Sequence, residues 1–157
     1  MKILTIYTDA SRIHTKGVSA VAYYLVCDAG KSLHTKVCPA DIQCITTAEM
    51  FGAAQALYTA KRLYGLDAFE KIIINMDSTG AIHHLKQTNH KPRYAVHRRL
   101  HLAFKKTRGK ATVEIRHVKG HQKSPNIRGW VNNLVDKACR KAAREAVKQM
   151  EKEQVTA

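Results

Sequence analysis

Acidic residues are scarce in this chain: 12 Asp and Glu stand against 27 Lys and Arg in 157 residues, a formal net charge of +15. Such a charge does not specify a fold, but it favours a polyanionic partner, with nucleic acid first and an anionic membrane surface second. Long apolar runs are also missing. The longest, Ala20 to Cys27, is far short of the roughly 20 residues that span a bilayer. Only a few apolar residues separate Met1-Lys2 from Thr8-Asp9, so no signal peptide is expected. The four cysteines (Cys27, Cys38, Cys44, Cys139) lack paired metal-ligand spacing, so reduced thiols and a cytoplasmic location are expected. No repeat, low-complexity tract or linker divides the chain. One domain over residues 1–157 is therefore expected, with about 146–157 as a helical or frayed C-terminal extension.

The hydrophobic pattern supplies the elements. Residues 2–9 predict a central strand, 18–27 a second, and the Asp28-Ala29-Gly30-Lys31 turn signal returns the chain in a third over 32–38. An apolar stripe through Met50, Ala53, Ala54, Leu57, Ala60 and Tyr64 predicts a helix over 47–64 that stops at Gly65. A β-branched strand at 71–76, a short helix at 78–87, a break at Pro92, a helix at 94–107, an alternating strand at 112–118 and a long amphipathic helix at 131–152 follow. The order βββαβααβα predicts an α/β fold, a mixed five-stranded sheet flanked by helices.

Four of the scarce acids fall where apolar segments begin or end: Asp9, Glu49, Asp77 and Asp136. Each has an ordinary explanation. Asp9 can open an Asp9-Ala10-Ser11 turn, Thr46 and Glu49 fit a capping box, Asp77 can cap the helix behind it, and Asp136 can pair with Arg140. Taken together, two strand-end aspartates, a glutamate at one helix start and an aspartate early in another helix suit a two-metal site. Phosphodiester hydrolysis needs charge neutralised on both the attacking and the leaving oxygen, and two Mg²⁺ ions about 4 Å apart, held by carboxylates, do this.

Five segments then resemble the type 1 ribonucleases H: Tyr7-Thr8-Asp9-Ala10-Ser11, Thr46-Thr47-Ala48-Glu49-Met50, Asn75-Met76-Asp77-Ser78, His117-Val118-Lys119-Gly120-His121, and Asn132 with Asp136. The resemblance runs from residue 3 to about 145 and includes the order and spacing of all four acids. It implies a ribonuclease H-like fold and two-metal cleavage of the RNA strand of RNA–DNA hybrids, leaving 5′-phosphate and 3′-hydroxyl ends. Asp9, Glu49, Asp77 and Asp136 match the metal-binding carboxylates, with Asp9 bridging two Mg²⁺ ions for which Mn²⁺ can substitute. His121 matches the histidine linked to proton transfer and product release, and Asn132 a supporting polar residue.

Cleft-side substrate contacts are expected from Ser11, Thr46, Thr47, Ser78 and Asn132. Residues 78–113 hold nine Lys or Arg and no acid, among them Lys86, Arg93, Arg98 and Arg99, and predict a phosphate track. His97 and His101 are four apart, but without a third ligand they are expected as surface histidines. Ile45 and Thr46 stand where family members often carry paired asparagines that read RNA 2′-hydroxyls, and Ala10 replaces a common glycine. A tryptophan-rich basic protrusion is absent, with Arg93 to Lys110 as its electrostatic substitute. The expectation is a monomeric endonuclease for RNA–DNA hybrid, with no membrane and no obligate protein partner. Its rivals are a DNA nuclease or junction resolvase on the same fold and a catalytically silent hybrid-binding module.

Overall fold

The computed structural model describes residues 2–65, 67–86, 95–118 and 127–156. Strands β1 (Ile3–Ile13), β2 (Val18–Cys27) and β3 (Gly30–Val37) form an antiparallel meander, and a single 3-10 turn (His14–Lys16) joins the first two. Helix α1 (Ile45–Tyr64) leads to β4 (Lys71–Met76), which is followed by α2 (Thr79–Lys86), α3 (Ala95–Arg108), β5 (Thr112–His117) and α4 (Ile127–Thr156). The sheet order is β3-β2-β1-β4-β5, with β4 parallel to both β1 and β5. This is the expected mixed sheet in the expected element order.

Apolar alternation sorts side chains to two faces. On one face Leu4, Ile6, Val21, Leu25, Ile72 and Ile74 meet Met50, Ala53, Leu57 and Ala60 of α1, with Leu100 and Phe104 of α3 behind them. On the other, Tyr7 and Ala22 meet Val131, Val135 and Cys139 of α4. Gly52 brings α1 close to the sheet: a Cβ there would lie 2.7 Å from Thr8 Oγ1 and 3.3 Å from Val21 Cγ1. Among the described residues no helix is long and apolar enough to cross a membrane.

Three expectations change. Asp9 does not end its strand, because β1 keeps pairing with β2 as far as Ile13↔Val18, so there is no Asp9-Ala10-Ser11 turn. What ends near Asp9 is the parallel pairing with β4, whose last register pair is Tyr7↔Asn75. His97 and His101 are buried, not on the surface, at 9% and 4% exposure. They share the i, i+3, i+4, i+7 stripe of α3 with Leu100 and Phe104, and His101 Nδ1 lies 2.9 Å from the His84 carbonyl oxygen. The last helix starts four residues earlier than expected and continues to Thr156.

Candidate functional site

The parallel register of β1 and β4 builds the site. Tyr7 stands opposite Asn75, and the same register carried two residues further sets Asp9 beside Asp77. Asn75 is 1% exposed and donates Nδ2 to the Ile6 carbonyl at 3.2 Å, clamping the two strands just before the acids. Beyond Met76, the Val118 amide donates to the Met76 carbonyl at 2.9 Å and holds the end of β4 in place.

Glu49 reaches the same point from α1. It is not half of a capping box: Ile45 opens the helix, so Thr46 is already inside it, and the N-cap position is Cys44. Glu49 Oε1 instead accepts from the Ala10 amide at 3.2 Å. Its Oε2 is buried and accepts no hydrogen bond from an N–H or O–H among the described residues. Ser78 caps the helix behind Asp77, its Oγ accepting from the Ala81 amide at 3.2 Å, and Asp77 itself lines the cleft.

Carboxylate oxygens of Asp9, Glu49 and Asp77 lie within 4.8 Å of one another, as do the corresponding ligand atoms of Asp9, Asp136 and Cys139. A cleft of about 20 Å³ is lined by Asp9, Asp77, Asn132, Asn133 and Asp136, room for a water-sized guest. Asp136 also pairs with Arg140 Nε at 3.2 Å, so the ordinary reading of that residue and its place in the cleft hold together.

Asp9 and Glu49 are expensive to keep ionised. Burial, then the charge of Asp77, push the Asp9 carboxyl up from 3.8 to about 7. Burial, then the charges of Asp9 and Asp77, hold Glu49 well above the ordinary glutamate range. Without cations, two such neighbours coexist by retaining a proton. The all-oxygen donor set of Asp9, Glu49 and Asp77, and the buried Glu49 Oε2 that accepts no hydrogen bond from an N–H or O–H among the described residues, fit a hard divalent cation.

The other expected residues divide. Ser11 is half-buried on β1 two residues past Asp9, and Thr46 lies beside α2, 3.5 Å from where a Gly80 Cβ would stand. Thr47 is 4% exposed and donates its hydroxyl to the Cys44 carbonyl at 2.9 Å. Lys86 and Arg98 are exposed on α2 and α3, and exposed Arg99 forms an ion pair with Asp41. His121 and Arg93 lie outside the described residues. Three residues of the site are missing from the sequence reading. Asn133 and Cys139 are next to, and one turn after, residues singled out there, and Gly52 carries its reason only in the approach of two elements.

The sequence profile of the RNase H family matches residues 1–144. The chain belongs to the RNase H family. Membership makes it a hydrolase of the ribonuclease H class, a nuclease. Solved structures similar to it agree in fold. The N-terminal RNase H domain of a Mycobacterium tuberculosis protein has a TM-score of 0.74 at 12% identity, covering 96% of this chain and 99% of that one. RNase H1 from the archaeon Halobacterium salinarum has a TM-score of 0.63 at 20% identity, with 94% and 98% covered. An RNase H1 isolated from compost by a metagenomic approach has a TM-score of 0.69 at 16% identity, with 94% and 99% covered. No curated protein matches the chain by sequence.

Proposed function

We propose that this RNase H family member hydrolyses the RNA strand of RNA–DNA hybrids, using divalent cations held by Asp9, Glu49, Asp77 and Asp136. The observation that carries the reading is the convergence of Asp9, Glu49 and Asp77, from three different elements, within 4.8 Å. Mg²⁺ is the cation, with Mn²⁺ able to replace it, because a hard carboxylate set suits both. When bound, the cations neutralise charge on the attacking and leaving oxygens of the scissile phosphate.

The chain's own residues do the positioning. Asp9 is shared between the Glu49–Asp77 side and the Asp136 side of the cleft. The Ala10 amide fixes Glu49, and the Asn75 clamp fixes the Asp9–Asp77 spacing. Asn132 and Asn133 line the cleft beside Asp136 and offer neutral donors to a phosphate or sugar. Exposed Lys86 and Arg98, on α2 and α3, supply backbone attraction. His121 assists proton transfer or product departure, and cleavage leaves 5′-phosphate and 3′-hydroxyl ends.

The test is cleavage of a labelled hybrid with Mg²⁺ or Mn²⁺ beside Asp9→Asn and matched DNA–DNA and RNA–RNA duplexes. The expected result is hybrid-only RNA cleavage that disappears in Asp9→Asn. Cutting of duplex DNA instead makes the chain a DNA nuclease or resolvase. Tight hybrid binding without cleavage in either metal makes it a silent binding module.

A further inference from the structure

Helix α4 presents two unlike faces. Val131, Val135, Cys139 and Ala143 are buried, the first three packing onto β1 and β2. Trp130, Lys137, Arg144 and Lys148 are all exposed. Their spacing of seven, seven and four residues keeps them within about 40° of one line on the helix, over about 27 Å of its length. Lys137, Arg144 and Lys148 enter no ion pair among the described residues, whereas Arg140 is held by Asp136 and Lys141 by Glu145. Trp130, the chain's only tryptophan, is 64% exposed. It precedes Asn133, a cleft-lining residue, by one turn, which puts it at the active-site end of the stripe.

We propose that the solvent face of α4 is a track for single-stranded nucleic acid, with Trp130 stacking on an unpaired base where the track meets the cleft. Uncompensated cations in a row attract a phosphate backbone of any sequence, and an exposed indole face adds stacking that every base can satisfy. Base pairing and stacking hide base faces inside a duplex, so a lone aromatic platform has its use where a strand is unpaired. An indole combines a broad apolar face with a polar N–H edge, which suits it to a stacked contact open to water. Resting on the hybrid-cleaving reading, the inference gives the substrate class as a hybrid flanked by single strand, with the unpaired segment laid along α4.

The experiment uses the full chain carrying Asp9→Asn, so that substrate binds without turnover. A blunt hybrid, the same hybrid with an oligothymidylate tail of about ten nucleotides, a length matching typical single-strand site sizes, and the tail alone are titrated. Labelled-substrate anisotropy and Trp130 emission are followed. The expected result is roughly tenfold tighter binding of the tailed hybrid, with Trp130 quenched by the tail alone, in keeping with the stacking of one base. Trp130→Ala removes the tail's gain, and Trp130→Phe retains most of it. Lys137→Ala, Arg144→Ala and Lys148→Ala together lower the salt slope of tail binding by about 2, at ~0.7 per lost contact. Blunt-hybrid affinity stays the same in all of these variants.

A tail that brings no gain and no quenching overturns the proposal. So does a gain that survives both Trp130→Ala and the triple substitution. Equal quenching by polyglutamate shows a site for acidic protein in general and overturns it too. If the tail quenches Trp130 while the chain with Asp9 intact fails to cut blunt hybrid in Mg²⁺, the cleavage reading falls and the single-strand track stands.

Discussion

Crowded carboxylates make the cation-free protein less stable as pH rises, against the usual trend for acids. Asp9 has an ordinary value of 3.8 and is held at about 7 in the fold. Below pH 4 both folded and unfolded chains carry the proton, and the site costs nothing. Between these values the unfolded chain releases a proton that the folded chain keeps, so stability falls with rising pH and levels off above about 7. At 1.36 kcal/mol per unit, integrating from pH 5 to pH 8 gives a loss of about 2.6 kcal/mol, or roughly 5–10 °C in Tm for a chain of this size. This is an upper value, because Asp9 is only partly buried. Chemical denaturation in EDTA across that range measures it. Asp9→Asn serves as the reference, since it cancels the contributions of the nine histidines. The expected difference curve falls toward alkaline pH, and Asp9→Asn is the more stable protein at pH 8. Millimolar Mg²⁺ reverses the order by binding only the folded carboxylate form. A difference curve that is flat or rises from pH 5 to pH 8 in EDTA refutes the reasoning.

Other consequences are as direct. Gly52→Ala drives a Cβ into Thr8 Oγ1, so it is expected to cost about 1–3 kcal/mol by denaturant unfolding and to lower kcat by pulling Glu49 away from Ala10. Asn75→Ala removes the buried clamp to the Ile6 carbonyl and is expected to cost about 1–3 kcal/mol, with Mg²⁺ affinity by calorimetry falling as the Asp9–Asp77 spacing loosens. Asp41→Asn releases Arg99 from its ion pair, so hybrid binding is expected to tighten and its salt slope to steepen by roughly 0.9; an unchanged slope removes Arg99 from the phosphate track. Thr47→Ala should leave hybrid affinity unchanged, because the hydroxyl is spent on Cys44.

The order of elements was legible because each has a clear period: two for the strands and 3.6 for the helices, with turn residues between them. The four acids were legible because acids are rare here and these sit at the edges of apolar segments. Local rules then misled at two of these acids, Asp9 and Glu49, while the local pairing of Asp136 with Arg140 is there. A turn at Asp9 and a capping box at Glu49 are sound local readings that the tertiary structure overrides, since continued pairing with β2 extends β1 and the helix begins one residue before Thr46. The burial of His97 and His101 was present in the 97, 100, 101, 104 spacing of α3 and went unread because histidine does not announce which side of a helix it occupies.

The sequence by itself determined the mixed sheet, its helices, the basic surface and the set of acids, because periodicity and composition are properties of the chain. Only the tertiary structure decided which acids share a site. Parallel register sets Asp9 beside Asp77 from residues 68 positions apart, the close approach at Gly52 lets α1 bring in Glu49, and α4 adds Asp136. Burial and mutual repulsion raise the affinity of Asp9 and Glu49 for protons, and of the cluster for cations, and neither effect exists until the three elements pack together.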